Sequence, residues 1–312
     1  MKKVVVWGHK LGTHTHSYVH FGYWRAAEYL GYQVEWFDDN DDVSSIDFSN
    51  TIFITETNVC KNMPVRDDCI YFNHNVDLAF SKTDRDTPHR LTHSRYYNFV
   101  YFSDRWGPSD NITWPDSSEL AYISQNHYFH SKTGTITTMW ATDLLPNEID
   151  QLEPELFNEN KDSIYFVGTP QGQNINEFMQ ICSRNEKPFK LVGGWNGLYA
   201  NNAPDINLNI QLVRDSYISV DIRDSPHLIQ GRYHPCRVFK NISYGKWTGS
   251  NHPEIIDVFQ DHFTTDSNLE NLYQKLVEDS RNCTEKKMRN SMNFIRDEHT
   301  YVNRLKSMFS VF

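Results

Sequence analysis

The chain has 312 residues, which at about 150 residues per domain sets an expectation of two domains, each with its own apolar core. Lysine and arginine number 30 against 40 aspartates and glutamates, and the net charge of -10 argues against a general nucleic-acid binder, because holding a phosphate backbone takes a basic stripe that releases counterions. Aromatic residues make up 14%, with 19 Phe, 17 Tyr and 8 Trp, and a chain so rich in core-filling rings is not intrinsically disordered.

Lys3 to Trp7 is a continuous β-branched run, the pattern of a strand buried on both faces. Gly8, Gly12 and Thr13 make a loop, and Tyr18 to Leu30 reads as a helix stopped by Gly31. Tyr32 to Phe37 is a second strand, ending in the acidic run Asp38 to Asp42, which reads as a solvated turn. This is a βαβ unit with parallel strands and a right-handed crossover. Apolar runs at Thr51 to Ile54, Cys69 to Phe72 and Asn98 to Phe102 extend it into an open parallel sheet.

Between Leu145 and Asp162 the sequence turns polar and acidic, as a domain linker does. The pattern then restarts with a strand at Ser163 to Val167, a loop at Gly168-Thr169-Pro170, a helix from Asn174 to Arg184, and strands at Phe189 to Val192 and Tyr217 to Ile222. A helix from Pro235 to Tyr244 is stopped by Gly245, Leu269 to Glu278 is helical, and one long amphipathic helix runs from about Glu285 to Met308. The expected division is 1–145, a linker at 146–162, 163–290, and a closing helix at 291–312 with the option of crossing back to the first domain. The fold class this predicts is α/β, with two Rossmann-like doubly wound domains facing across a cleft and the ligand at the carboxyl ends of the strands.

No apolar run approaches the roughly 20 residues of a membrane span, and the stretch after Met1-Lys2-Lys3 stops at Gly8 and His9, short of a secretory segment. The five cysteines are odd in number and form no Cys-x-x-Cys, which fits a reducing, cytoplasmic setting better than a disulfide framework or a zinc ribbon.

Arg232, His234 and Arg237 are concentrated where a helix starts, with Pro235 suited to its first turn. Helix N-termini attract phosphate and arginine adds a bidentate fork, so these residues suit a diphosphate, although they equally suit surface ion pairs on an acidic protein. Gly168 and Thr169 open a glycine-containing loop that permits close backbone approach to phosphate. In the first half, His14 and His16 lie in the first strand-to-helix loop, and histidine is the side chain that loses its proton near neutral pH unaided. His14 and His16 are therefore candidate bases, with His74 or Asp77 as alternatives at the end of another strand; a loop of polar histidines without a role competes with this. His16 and His20 are four apart, a metal-ligand spacing, but no third ligand is evident in the sequence and no metal is expected.

The stretch Arg237-Val-Phe-Lys-Asn-Ile-Ser-Tyr-Gly245, followed by Asn251-His-Pro-Glu-Ile-Ile-Asp-Val-Phe259, resembles the C-terminal donor-binding motif of GT-B glycosyltransferases. Within them it is most similar to the group-1-like branch with the CgeB-type proteins, which carry Arg-x-Phe-Glu-x-x-x-x-Gly here. Phe263-Thr-Thr-Asp266, Leu269 to Leu276 and His299-Thr-Tyr-Val-Asn-Arg304 are similar to that family's closing strand and helices. The likeness spans about residues 163–312, and the first half matches in layout only. It implies a metal-independent glycosyltransferase without a cofactor, holding a UDP- or GDP-sugar on the C-terminal domain and a sugar or glycan acceptor on the N-terminal one. It puts Arg237 on the donor diphosphate, helped by Arg232 and Lys240, and places Lys240 at the ribose position. The family has Glu at that position, and Lys240 can only donate, so the nucleotide sits differently, Asn241 or Glu254 takes over, or the donor site is degenerate. Two alternatives stand beside this reading: a catalytically silent GT-B-like nucleotide or carbohydrate binder, and a glucosyltransferase of DNA bases, against which the net charge counts.

Overall fold

The structure, a computed structural model, describes residues 2–14, 16–56, 59–74, 96–101, 120–124, 127–130, 135–168, 172–193, 205–224, 236–252 and 255–312. It forms two compact units, one of Met1–Met139 with Tyr301–Phe312 and one of Trp140–Thr300.

The first unit is built on an eight-stranded sheet of β1 (Lys3–Trp7), β2 (Gln33–Phe37), β3 (Ile52–Glu56), β4 (Ile70–His74), β5 (Tyr96–Tyr101), β6 (Leu120–Ser124), β7 (His127–His130) and β8 (Thr135–Thr138), in the order β2-β1-β3-β4-β5-β8-β7-β6. From β2 to β5 neighbours are parallel, as expected of their short apolar runs, and β5 also pairs in parallel with β8. The β8-β7-β6 edge is antiparallel, so the sheet is mixed rather than wholly parallel. Val5, Trp7, Phe53 and Tyr71 pack with Phe48, Cys60, Met63 and Cys69 into a core. The first helix, Ser17–Tyr29, and the last, Tyr301–Phe309, pack together. Tyr23 meets Tyr301 with ring centroids 4.8 Å apart, and Phe72 meets Phe309 at 5.6 Å.

In the second unit β9 (Ile164–Val167) pairs in parallel with β10 (Phe189–Val192), and β11 (Ser219–Asp221), β12 (Thr248–Ser250) and β13 (Thr264–Thr265) form a second parallel set. The stretch read as a linker contains the helix Pro146–Gln151. It packs against the helix Glu285–Glu298 with Ile149 buried, and Arg289 donates to the Leu152 carbonyl at 2.8 Å. The long closing helix also differs from expectation. It breaks at His299 and Thr300, where Thr142 N–H takes the His299 carbonyl at 3.1 Å and Thr142 bridges to Thr300, so Glu285–Glu298 and Tyr301–Phe309 are separate helices in different units. Amphipathic periodicity is the same on both sides of such a break and cannot mark it.

Gly22 sits under Tyr301: a Cβ there would lie 2.2 Å from the ring. Gly22→Ala gains roughly 0.5–1 kcal/mol of helix propensity, but overpacking costs about 1–3 kcal/mol, so a net loss is expected. Urea denaturation checks it, and an unchanged or raised midpoint would mean that Tyr301 does not rest on this glycine.

Candidate active site

Strand register builds the first cluster. Glu56 and His74 are paired residues at the carboxyl ends of the parallel neighbours β3 and β4, so both side chains leave the same face of the sheet one strand apart. The loop after β1 carries His9, His14 and His16, and the helix that follows supplies His20. Glu56 is only 1% exposed, and its Oε2 lies 2.9 Å from His16 Nδ1, 3.5 Å from His20 Nε2 and 3.6 Å from His74 Nδ1. Burial pushes the Glu56 carboxyl up, but the hydrogen bonds from these three imidazoles outweigh it and hold the group well below the usual carboxylate range.

His20 and His74 are buried, whereas the His16 side chain keeps 25% of its surface in solvent. Gly8 makes room for His20, since a Cβ there would lie 2.4 Å from His20 Nδ1. His9 stacks on His14 at 4.0 Å, and His14 meets His16 edge-on at 5.1 Å. An ionised Glu56 accepts a hydrogen bond from His16 Nδ1, and the tautomer with its proton there is the one a general base acting through Nε2 requires.

The second cluster lies at the carboxyl ends of β9, β10, β11 and β12, followed there by Gly168, Gly193, Ile222 and Asn251. Asp221 is fully buried between two arginines: Arg223 Nε donates to it at 2.9 Å, and Arg237 Nη1 bonds its other oxygen. Burial raises Asp221, but the Arg223 and Arg237 charges prevail and keep it below its ordinary value. Arg237 also donates from Nε to the Val167 carbonyl at 2.9 Å and lies 3.8 Å over the Phe166 ring. Its Nη2 fills the space beside Gly168, where φ is +133° and a Cβ would come within 2.4 Å, so both backbone conformation and space call for glycine. At the start of the helix Gln173–Arg184, Asp224 Oδ1 accepts from the Gln173 and Asn174 amides at 3.0 and 3.1 Å. A carboxylate thus already holds the anion position there.

The structure therefore gathers His16 and His74 around Glu56, leaves His14 exposed beside them, and brings Gly168 and Arg237 together. Lys240 pairs with Asp143 at 2.7 Å, and Asn241, 2% exposed, donates to Thr248 Oγ1 at 3.1 Å, so the described partners of both are internal to this unit. Asp77, Thr169, Arg232, His234 and Glu254 lie outside the described residues. Glu56, Asp221 and Asp224 were not singled out in the sequence. For the first two, a lone carboxylate in or closing an apolar strand run was the available signal.

No family model matches the chain, and no curated protein does. Solved structures do. T4 phage β-glucosyltransferase in complex with its UDP-glucose substrate, and the DNA-modifying enzyme β-glucosyltransferase with and without uridine diphosphoglucose, each match with a TM-score of 0.52 at 11% identity, over 100% of this chain and 98% of the other. The chain has a GT-B glycosyltransferase fold. Among the described residues no helix is long and apolar enough to cross a membrane.

Two outcomes follow from the electrostatics. Arg237→Ala leaves Asp221 buried with half its counter-charge, and a loss of about 3–5 kcal/mol is expected. Adding Asp221→Asn should recover part of it, as chemical denaturation would record; an undiminished single variant would contradict the buried pair. Burial, and then the charge of neighbouring His14, lower His9 from 6.5 to about 4. Between those pH values the unfolded chain takes up a proton that the folded one refuses, so stability falls as pH drops from about 6.5 to 4. Thermal melts across this window should show a shallower fall in His9→Gln than in the parent chain, and identical slopes would refute the assignment.

Proposed function

We propose that this protein transfers a sugar from a nucleoside-diphosphate sugar to an acceptor hydroxyl. One observation carries the reading: the fold likeness to a glucosyltransferase holding UDP-glucose runs the whole length of both chains rather than over a single nucleotide-binding unit. In this reading the two units are Rossmann-like and doubly wound, the second holds a UDP- or GDP-sugar, and the first holds the acceptor. The placement near CgeB-type proteins rests on sequence motifs alone, from Arg237–Gly245 to His299–Arg304.

In this reading each cluster has its own part in the chemistry. His16, oriented by Glu56 at Nδ1, takes the acceptor proton at Nε2 as the acceptor oxygen bonds to the anomeric carbon and the bond from that carbon to the diphosphate oxygen breaks. His14 is the alternative base, and Asp77 a further one. The departing diphosphate is met by the Gly168 and Thr169 backbone and by Arg232 and His234. Arg237 acts mainly from beneath, as the cation that fixes the glycine loop to Asp221, because it is buried and its Nε and Nη1 are already engaged by the Val167 carbonyl and Asp221. Lys240 and Asn241 support the helix behind that loop. No step in this scheme uses a metal.

A second reading of the acceptor has a specific observation behind it, since a matching structure is a DNA-modifying enzyme. The net charge of -10 favours a glycan or other small hydroxylated acceptor over DNA. Nucleotide release from a panel of UDP- and GDP-sugars, with glycan acceptors in one arm and duplex DNA bearing hydroxylated bases in the other, tests function and acceptor together. Release in neither arm would leave the silent binder. His16→Ala is expected to lower kcat by about 100-fold or more with the donor KM little changed; a variant as fast as the parent removes His16 as the base.

A further inference from the structure

Glu56 is hydrogen-bonded in a way that hydrogen bonding alone accounts for poorly. A carboxylate oxygen offers two lone-pair directions, yet three imidazole nitrogens converge on Oε2 at 2.9, 3.5 and 3.6 Å. The other oxygen, Oε1, is buried and has no hydrogen-bond partner among the described residues. Donors crowded at one oxygen beside an empty second one suit a shared cation better than a shared proton.

The spacing agrees. A tetrahedral ion with nitrogen and oxygen ligands at about 2.0–2.1 Å sets its ligand atoms about 3.4 Å apart. His16 Nδ1, Glu56 Oε2 and His74 Nδ1 all lie within 4.8 Å of one another, with the carboxylate oxygen 2.9 and 3.6 Å from the two nitrogens. These atoms belong to a loop and two adjacent parallel strands, and His20, packed against Gly8, brings a further nitrogen to the same oxygen. We propose that His16, Glu56 and His74 bind one divalent transition-metal ion of the zinc class, with a water as the fourth ligand.

Imidazole-rich donors select Zn²⁺, Co²⁺ or Ni²⁺ over Mg²⁺ and Ca²⁺, which prefer oxygen. The partly exposed face of His16 is the route in. On binding, protons held at the ligating nitrogens leave to solvent. The binding itself is independent of the glycosyl-transfer reading. Its consequence for that reading is that His16 with an ion on Nδ1 keeps its proton at Nε2 and cannot act as a base, so metal occupancy silences the ring.

The test uses tag-free, chelator-stripped full-length protein titrated with Co²⁺. The visible absorption of four-coordinate Co²⁺ should saturate at one ion per chain and vanish on adding Zn²⁺. His16→Ala and His74→Ala should each weaken binding by about 10-fold or more, while His262→Ala, in the other unit, binds as the parent does. Absence of a saturable band, or undiminished binding in both folded ligand variants, overturns the proposal. If those variants do not fold, zinc-edge X-ray absorption of the loaded parent decides. An oxygen and nitrogen shell near about 2.0 Å with imidazole scattering is expected, and a sulfur shell would put the ion on cysteine and refute it. Because these are binding and spectroscopic measurements, a negative donor panel leaves their result standing.

Discussion

The buried carboxylate of Glu56 organises the carboxyl edge of the first unit's sheet. It costs free energy to place a charge at the end of an apolar strand, and the chain offsets that cost with imidazoles from three separate elements. Each histidine is thereby held in one orientation, and the loop after β1, a segment with few apolar anchors, acquires a fixed point at His16. A guanidinium in place of the rings would have neutralised the charge more strongly but would have carried no proton available near neutral pH.

The second unit solves a similar problem with arginine. Asp221 is as deeply buried as Glu56, and its two arginines come from different elements, one from just after β11 and one from the helix Cys236–Ser243. This ties the glycine turn after β9 to β11 through Arg237. The arginine that sequence likeness assigns to the ligand therefore has a structural duty, and the same side chain fixes the backbone that a phosphate would approach.

What was legible in the sequence tracks what is local. β1, the first helix and Gly31 as its stop could be read from periodicity and from the need for positive φ, which Gly31 has at +82°. His16 and His74 stood out as polar residues beside apolar strands. Their meeting at Glu56 was not legible, because it depends on the register of β3 and β4, which no linear pattern records. The helix Pro146–Gln151 was hidden by its acidic composition, with Ile149 its sole buried residue. The break at His299 was hidden because the backbone bond that makes it comes from Thr142. The short strands β12 and β13 have too few residues for alternation to register.

That break also sets an order of assembly. The helix Tyr301–Phe309 belongs to the first unit although it is made after the whole of the second. While the chain emerges from the ribosome, the second unit has all of its residues before the first does, reversing the usual sequence in which the leading domain matures earlier. Through that interval Tyr23 and Phe72, which the closing helix covers, wait for their partners. The first unit's apolar surface is thus longest exposed on its helical side, and that is where a chaperone would have most to hold.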